Sequence, residues 1–434
     1  MNRGPALSGI GRRERPRRAV RGAPGTWAAV ASLVIVAASC GDDDADARDA
    51  GVLADIGSLD DAAPFDGDAA GLDAARTDGG RRGPRLNHDA DCDGAALDAG
   101  PAVDGGPSAA LLASGPYSVG VRTITMLDAS RGRTLPVEVW YPIERASTSG
   151  TANAYFLDTS LGTLAHLCSA ARRDAVPSAP DPSSDGWPLV VFSHGFGGIR
   201  FQSFFLTEHL ASHGHVVVAP DHVGNTLADL GALGDDAAAA QSAVDRPLDV
   251  RFVLDRMLEP DAAGTGIAID PARVAVSGHS FGAWTSFESA RLDRRLRVVV
   301  PLAPGFRDPS SPAIAAELMS QPLLVFGASE DRTTPFDEGA LAAYEVAPAP
   351  KQLVRIEGAG HLDFSDLCQV EAARAFIDDG CDPAVLDPAI VRDRVKVLVL
   401  AFLRRHLAGD VSADAALACD AVVALGNVEC WREP

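Results

Sequence analysis

The residue with the clearest chemical signature is Ser280, at the centre of Gly278-His279-Ser280-Phe281-Gly282. An apolar run at 274–277 precedes it and predicts a β-strand, and a helical pattern at 283–292 follows it. A serine at a sharp strand-to-helix turn exposes its hydroxyl, and the helix N-terminus supplies positive potential for an oxyanion. The turn is so tight that a side chain at Gly278 or Gly282 would strike the neighbouring strand or helix. We interpret Ser280 as a nucleophile; the alternative is a serine that caps the helix.

A serine nucleophile needs a base, because its hydroxyl is a weak nucleophile at its own pKa. His361 ends the glycine-rich stretch Gly358-Ala359-Gly360-His361, just after the last predicted strand of the series. This position predicts that His361 is the base, with a buried structural histidine as the alternative. The histidine next to the nucleophile, His279, should point away from it at the turn. The remaining candidates are less well placed: His194, His209, His213, His215 and His222.

The base in turn needs a carboxylate that orients its ring. Asp331 follows the predicted strand at 323–326 and is our candidate for this role. Glu330 is the adjacent competitor, and Asp308, after the preceding strand, is the other one. An aspartate that only caps a loop is the structural alternative.

An oxyanion formed at the carbonyl under attack needs two N–H donors. The residue after the nucleophile, Phe281, supplies one. The other should come from the glycine-rich stretch Ser193-His194-Gly195-Phe196-Gly197-Gly198, which follows an earlier strand, and we assign it to Phe196. A glycine-rich turn without a catalytic role is the alternative.

The elements that must position these residues are apolar strands that alternate with helical stretches. Strands are predicted at 117–126, 134–142, 188–193, 216–219, 274–277, 298–302, 323–326 and 352–356, and helices at 199–213, 246–258, 283–292 and 388–406. This alternation predicts an α/β fold with a mostly parallel central sheet and helices on both faces. Two connections, 143–186 and 221–245, are long enough to be functional, and the first is long enough for a lid.

The motifs together resemble those of α/β-hydrolases of the dienelactone-hydrolase and platelet-activating-factor acetylhydrolase-like group. The segments that carry the resemblance are 135–142, 192–198, 217–222 and 278–282, within a region from about residue 117 to 406. The resemblance implies an α/β-hydrolase fold and a carboxylic-ester hydrolase with a Ser-His-Asp triad in that chain order and no cofactor. In the acetylhydrolases the acid follows an earlier strand, where this chain has no carboxylate until Asp308, so Asp331 is favoured. Dienelactone hydrolases use cysteine as nucleophile, so Ser280 argues against that activity.

The N-terminal region is typical of an export signal followed by a disordered linker. An arginine-rich start and the apolar run at 27–39 predict a signal peptide over residues 1–40. Small residues before Cys40 resemble a lipoprotein box, so Cys40 is the expected lipidation site; ordinary cleavage is the alternative. Residues 41–112 are rich in Asp, Ala and Gly and predict a disordered tether. The patch at 89–94 alternates aspartates as calcium loops do but lacks the later bidentate carboxylate, so a solvated spacer is favoured.

The remaining divisions are a catalytic domain at 113–410 and a cysteine-containing extension at 411–434. If Cys40 is lipidated, six cysteines remain in an exported chain, which permits disulfides. The pairs Cys368–Cys381 and Cys419–Cys430 would close short loops. We expect no metal site, since no Cys-x-x-Cys or histidine-rich spacing occurs.

The formal charge of −21 disfavours nucleic-acid binding, because an acidic body repels phosphate backbones. The sequence thus predicts an exported serine hydrolase of short-chain or lipid-like acyl esters, with membrane contact only through the N-terminal anchor. The location would be a membrane-anchored lipoprotein, periplasmic or at the cell surface, or otherwise secreted. The alternatives are an amidase or peptidase on the same triad, or a non-catalytic surface lipoprotein on a hydrolase scaffold. The oligomeric state is not predicted.

Overall fold

The fold is taken from a computed structural model that describes residues 107–159, 162–232, 235–305, 311–370 and 379–434. The predicted signal peptide at 1–40, the lipidation of Cys40 and the tether before residue 107 lie outside these residues. Within the described part of the chain, no helix has the length and apolar character needed to span a membrane.

An eleven-stranded sheet organises the described residues. Its strands are β1 (Ser118–Asp128), β2 (Arg133–Ile143), β3 (Thr151–Thr159), β4 (Gly162–Arg173), β5 (Trp187–Ser193), β6 (Val216–Pro220), β7 (Ile269–His279), β8 (Val298–Leu302), β9 (Leu323–Ala328), β10 (Lys351–Ile356) and β11 (Val428–Glu433). They lie in the order β11-β10-β9-β8-β7-β5-β6-β2-β1-β4-β3. The six strands from β10 to β6 pair in parallel, so their carboxyl ends meet at one edge. That edge is where such sheets place their sites.

Helices cover both faces of the sheet, as the sequence predicts. They are α1 (Pro107–Leu112), α2 (Phe204–Ser212), α3 (Asp236–Met257), α4 (Phe281–Leu292), α5 (Ser311–Glu317), α6 (Ala342–Val346), α7 (Pro388–Leu407), α8 (Asp414–Leu417) and α9 (Cys419–Val423). Side chains along β5 alternate between two cores: Val190 and Phe192 pack with α2 and α7, whereas Leu189 and Val191 pack with α3 and α4. The central strands are therefore buried on both sides, which explains their continuous apolar runs.

The segment 143–186 is not the long connection expected from the sequence. It contains β3 and β4, an antiparallel hairpin that extends the sheet because β4 pairs in parallel with β1. Tyr155 and Leu157 are buried on one face of β3. The surrounding alanine, threonine and serine residues dilute this two-residue period, which is why the strands were missed. The sequence left open whether this segment is a lid, and in the structure its two strands are part of the sheet.

The folded domain extends beyond both predicted boundaries of the catalytic domain, residues 113 and 410. Helix α1 begins at Pro107, inside the expected tether, and Leu111 is buried in the core that α7 shares. At the other end, 411–434 is part of the sheet rather than an extension, because β11 pairs antiparallel with β10 over all six of its residues. The sequence does not predict these boundaries, because the helices and the strand in these segments are too short to show a clear apolar period.

The second long connection, 221–245, is partly helical. It contains a 3₁₀ helix at Leu227–Ala232 and the start of α3, which begins at Asp236 rather than at the predicted residue 246. Asp235 caps α3 by accepting from the backbone N–H of Ala237. The predicted helix begins too late: Pro247, a residue type that is favoured at the start of a helix, lies inside α3.

Two disulfides confirm the predicted pairs. We call residues 357–370, which include His361, the base loop, and Cys368–Cys381, which joins this loop to the chain before α7, the base-loop disulfide. Cys419–Cys430 joins α9 to β11, and we call it the C-terminal disulfide. Each links residues 11 to 13 positions apart in the sequence.

Candidate active site

Ser280 lies at the predicted strand-to-helix turn, between the end of β7 and the start of α4. Its backbone has φ of 58° and ψ of −120°, a left-handed conformation that a residue with a side chain seldom adopts. The backbone N–H of Ser280 donates to the carbonyl of Leu302 at 2.9 Å, which ties the turn to the end of β8. The side chain makes no capping hydrogen bond to α4, so the helix-cap interpretation has no support.

The two glycines of the motif are required by space, as predicted. A Cβ at Gly282 would overlap the carbonyl oxygen of Ser193 at the end of β5. A Cβ at Gly278 would overlap the carbonyl oxygen of Gly282 and come within 2.7 Å of that of Ser193. The turn therefore packs directly against the neighbouring strand, and this contact fixes the position of the serine.

His361 and Asp331 are hydrogen-bonded partners. Nδ1 of His361 lies 2.8 Å from Oδ2 of Asp331, and both side chains are almost fully buried. Thr334 holds the carboxylate from behind: its N–H donates to Oδ1 at 2.6 Å and its hydroxyl to Oδ2 at 2.9 Å. An ionised carboxylate only accepts, so the His361 ring carries its proton on Nδ1 and leaves Nε2 as an acceptor. That is the tautomer a general base requires.

Electrostatics reinforce this pair. Burial by itself lowers the pKa of His361, but the charge of Asp331, its hydrogen bond and the charge of Asp379 outweigh burial, so the pKa is raised. Burial raises the pKa of Asp331, yet the charge and hydrogen bond of His361 and the bonds from Thr334 lower it overall. The competing Glu330 is exposed and accepts a hydrogen bond from Ser329 instead. The other competitor, Asp308, lies outside the described residues.

Asp379 connects the segment that carries Asp331 to the segment that carries His361. Its carboxylate accepts from the backbone N–H groups of Arg332 and Thr333 and from the Thr333 hydroxyl, all next to Asp331. It also accepts from the N–H of His361 at 3.2 Å. The base-loop disulfide holds the chain two residues further on, at Cys381. Neither the local pattern nor the spacing of Asp379 marks it in the sequence, because its partners are brought together only by the sheet.

The predicted oxyanion loop, residues 193–198, is held by the fully buried Arg246 of α3. The guanidinium donates to the carbonyl oxygens of His194 at 2.8 Å and Gly195 at 2.9 Å. A trans peptide group points its C=O and N–H in opposite directions. With the carbonyl of Gly195 turned toward Arg246, the N–H of Phe196 therefore points away from α3. The ring of Phe196 lies 6.1 Å from that of Phe281, so the two predicted donors belong to the same region.

Ser280 borders this loop. A Cβ placed on Gly195 would lie 3.5 Å from the Cβ of Ser280 and 3.4 Å from Nδ1 of His279. On the other side, the rings of His279 and His361 lie 4.6 Å apart. Nucleophile, base loop and oxyanion loop thus converge at the carboxyl edge of the parallel strands.

A second Ser-His-Asp arrangement lies beneath the oxyanion loop, and no motif in the sequence predicts it. Ser193 Oγ lies 2.9 Å from Nε2 of His222, whose Nδ1 lies 3.0 Å from Asp249. All three side chains have 1% exposure or less, so no substrate reaches them. Burial and the nearby Arg246 lower the pKa of His222 to about 4, which keeps its ring neutral. This set fixes the start of the oxyanion loop.

The five phenylalanines near the site divide into two groups. Phe201, Phe204 and Phe205 belong to the core, and the first two pack on Tyr155 with centroid distances of 4.9 and 4.8 Å. Phe196 is half-buried and Phe281 is buried at the turn. These last two rings pack on each other where the predicted oxyanion loop meets the start of α4.

Asp363, Cys368 and Cys381 are the one group among the described residues whose ligand atoms lie close enough to hold a metal ion. The two sulfurs are joined in the base-loop disulfide, so they are not thiolates and cannot bind a metal as such. Asp363 instead accepts from the N–H groups of Gly360 and Cys381.

Comparisons with known proteins agree with this architecture. Residues 174–375 match the dienelactone hydrolase family. The chain is 24% identical over 350 residues to platelet-activating factor acetylhydrolase of Cavia porcellus, covering 69% of this chain and 78% of that enzyme. It is 29% identical over 174 residues to cutinase est2 of Thermobifida alba, covering 40% of this chain and 52% of the cutinase.

A solved structure shows the same fold. Ferulic acid esterase from Streptomyces cinnamoneus superposes with a TM-score of 0.56 and 23% identity, covering 73% of this chain and 97% of the esterase. The parallel strands, the helices on both faces and these matches agree with one another. The chain therefore has the α/β-hydrolase fold, its residues 174–375 resemble the dienelactone hydrolase family, and the enzymes it matches are carboxylic-ester hydrolases.

Proposed function

We propose that the chain is a serine esterase in which Ser280 is the nucleophile, His361 the base and Asp331 the acid that orients it. The observation that carries the proposal is the 2.8 Å contact between Asp331 and His361 beside the strained turn of Ser280. A hydroxyl at such a turn is presented to substrate, and the unprotonated Nε2 of His361 is the acceptor that its proton needs.

The reaction proceeds in two halves. Ser280 Oγ attacks the ester carbonyl while Nε2 of His361 takes its proton, and the backbone N–H groups of Phe196 and Phe281 hold the tetrahedral oxyanion. His361 then returns the proton to the leaving alkoxide, which departs and leaves an acyl group on Ser280. Water repeats the sequence and releases the acid. The positive end of α4 stabilises the developing negative charge.

The substrates we propose are short-chain acyl esters. Phe196 of the predicted oxyanion loop packs against Phe281, the residue after Ser280, and the strands of the segment 143–186 are part of the sheet rather than free to cover a long chain. The matched acetylhydrolase supports a small acyl group, since its name describes removal of an acetyl group. A series of p-nitrophenyl esters of increasing chain length tests this preference, and a maximum at long chains would contradict it.

Export is also proposed. Disulfides persist in oxidising compartments, and the base-loop and C-terminal disulfides support a location outside the cytosol. Mass spectrometry of the mature N-terminus tests the lipid on Cys40. An unmodified Cys40, or cleavage elsewhere, would contradict the anchor.

The chain offers a matched control for the nucleophile. Ser280→Ala should abolish hydrolysis of p-nitrophenyl acetate and labelling by a fluorophosphonate. Ser289→Ala removes another buried serine near the far end of α4 and should leave the labelling of Ser280 in place. Labelling that survives Ser280→Ala would overturn the assignment, and anilide substrates test for amidase activity on the same residues.

A further inference from the structure

Two buried side chains that the proposed reaction does not use connect the oxyanion loop to the base loop. Oε1 of Gln202 lies 2.9 Å from the backbone N–H of Gly195, and Nε2 of Gln202 lies 2.8 Å from Nδ1 of His279. Nε2 of His279 lies 2.9 Å from the carbonyl oxygen of His361. Gln202 is 3% and His279 2% exposed, so water does not replace these bonds.

The direction of every hydrogen bond in this chain follows from its first member. The N–H of Gly195 only donates, so the Gln202 atom facing it must be the oxygen. The NH2 group of Gln202 therefore faces His279, and because it only donates, Nδ1 of His279 must accept. The ring proton is then on Nε2, where it donates to the carbonyl of His361. Burial and the neighbouring His361 lower the pKa of His279 to about 3, so its ring stays neutral where the enzyme works.

We infer that Gln202 and His279 form a positioning pair that holds the oxyanion loop and the base loop in register across Ser280. The inference rests on the proposed triad. Both backbone polar groups of His361 are then held: Asp379 accepts from its N–H, and His279 donates to its carbonyl.

Further hydrogen bonds join residues 202–205, at the start of α2, to the base loop. The N–H of Asp366 donates to the carbonyl of Gln202 at 2.8 Å, and Ser203 Oγ donates to the carbonyl of Phe364 at 3.1 Å. The N–H of Phe205 donates to the carboxylate of Asp366 at 2.7 Å. The start of α2 is thus docked on the base loop, and the positioning pair extends this docking to the residue beside the nucleophile. Ser280 itself makes no contact with Gln202 in this chain of bonds, so the pair acts through position and not by proton transfer.

Substitutions at His279 separate the two bonds of its ring. His279→Asn keeps an acceptor near the Nδ1 position, His279→Gln keeps a donor near the Nε2 position, and His279→Phe removes both. A small displacement of a catalytic group costs up to about 100-fold in rate, so we expect His279→Phe to lower kcat by about 10- to 100-fold. KM should stay within about threefold, since the pair does not touch substrate. His279→Asn and His279→Gln should each retain more activity than His279→Phe.

Gln202→Met tests the pair from the other end and should also lower kcat rather than raise KM. Its matched control is Gln321→Met, because Gln321 is also buried, with 7% exposure, and makes two side-chain hydrogen bonds, to Ala290 and Ser320, away from the site. Circular dichroism and melting temperature establish that each variant is folded. If His279→Phe does not fold, Gln202→Met and the spectrum below still decide the question.

The proton position is read independently of activity by ¹⁵N NMR of the full chain labelled in histidine, with the His279 signals assigned from the His279→Asn variant. We expect a neutral ring protonated on Nε2 throughout the active pH range. A proton on Nδ1, or losses in kcat no larger than those of Gln321→Met, would overturn the inference. Wild-type protein that hydrolyses no ester would instead contradict the proposed function, and the NMR result would still test the hydrogen-bond chain.

Discussion

Replacing Asp331 by asparagine should almost abolish ester hydrolysis, although the side chain keeps its size. The N–H of Thr334 donates to Oδ1 of Asp331, so the oxygen of an asparagine must take that position. The NH2 group then occupies the Oδ2 position, 2.8 Å from Nδ1 of His361. Because NH2 only donates, Nδ1 has to accept and the ring proton moves to Nε2. His361 in that tautomer cannot take the proton of Ser280.

The wrong tautomer in a Ser-His-Asp triad costs about 10⁴ in kcat, or about 5 kcal/mol of transition-state stabilisation. Hydrolysis of p-nitrophenyl acetate at saturating concentration measures this loss. KM should change by less than about threefold, because Asp331 is buried behind His361 and is not in contact with substrate. Labelling by a fluorophosphonate should slow in proportion, since it requires the same proton transfer.

Glu330→Gln provides the control for charge and position. Glu330 is adjacent to Asp331 in the sequence, but it is exposed and has no part in the contacts with Thr334 and His361. The kcat of the Glu330→Gln enzyme should therefore stay within about twofold of wild type. The reasoning would be refuted by an Asp331→Asn enzyme that loses less than about tenfold in kcat. It would equally be refuted if the Glu330 variant were the one that lost activity.

Three further predictions concern the surroundings of the site. Asp379→Asn should lower kcat and move the acidic limb of the kcat/KM profile to lower pH, because the charge of Asp379 raises the pKa of His361 and only the neutral ring is a base; an unmoved limb would contradict it. Burial raises the pKa of Glu208 from 4.5 to about 7. The free energy of unfolding should therefore fall between these two pH values by about 3 kcal/mol, because each unit of pKa shift corresponds to about 1.36 kcal/mol. Urea titrations should show this slope vanish in Glu208→Gln. The paired change Cys368→Ser and Cys381→Ser should cost about 3 kcal/mol of stability and also lower kcat, whereas serines at the C-terminal disulfide should lower stability alone.

The sign of the Glu208 effect follows from its contacts. The folded state holds the proton at pH values where the unfolded chain has already released it, so the stabilisation is complete below 4.5 and is lost as the pH passes about 7. Tyr155 and Ser169 both donate to Oε1 of Glu208, which moderates the shift without reversing it. A stability that rises over this range would contradict the burial argument.

The sequence by itself determined the central layer of the fold and the turn that carries the nucleophile. Strands buried on both faces are continuous apolar runs, so β5 to β10 were predicted with errors of a few residues at their ends. The turn at Ser280 was predictable because two glycines and a helix start are local requirements. Two disulfides between nearby cysteines were predictable for the same reason.

Only the tertiary structure decided which side chains hold the site together. Gln202, Arg246 and Asp379 have no local signature, because their partners are 7 to 77 residues away and meet only when the parallel strands align their carboxyl ends. The hairpin β3–β4 and strand β11 were missed for a related reason. These strands lie at the two ends of the sheet, where many of their side chains are only partly buried. Few large apolar residues mark them, and their pairing is fixed by the neighbouring strand rather than by their own composition.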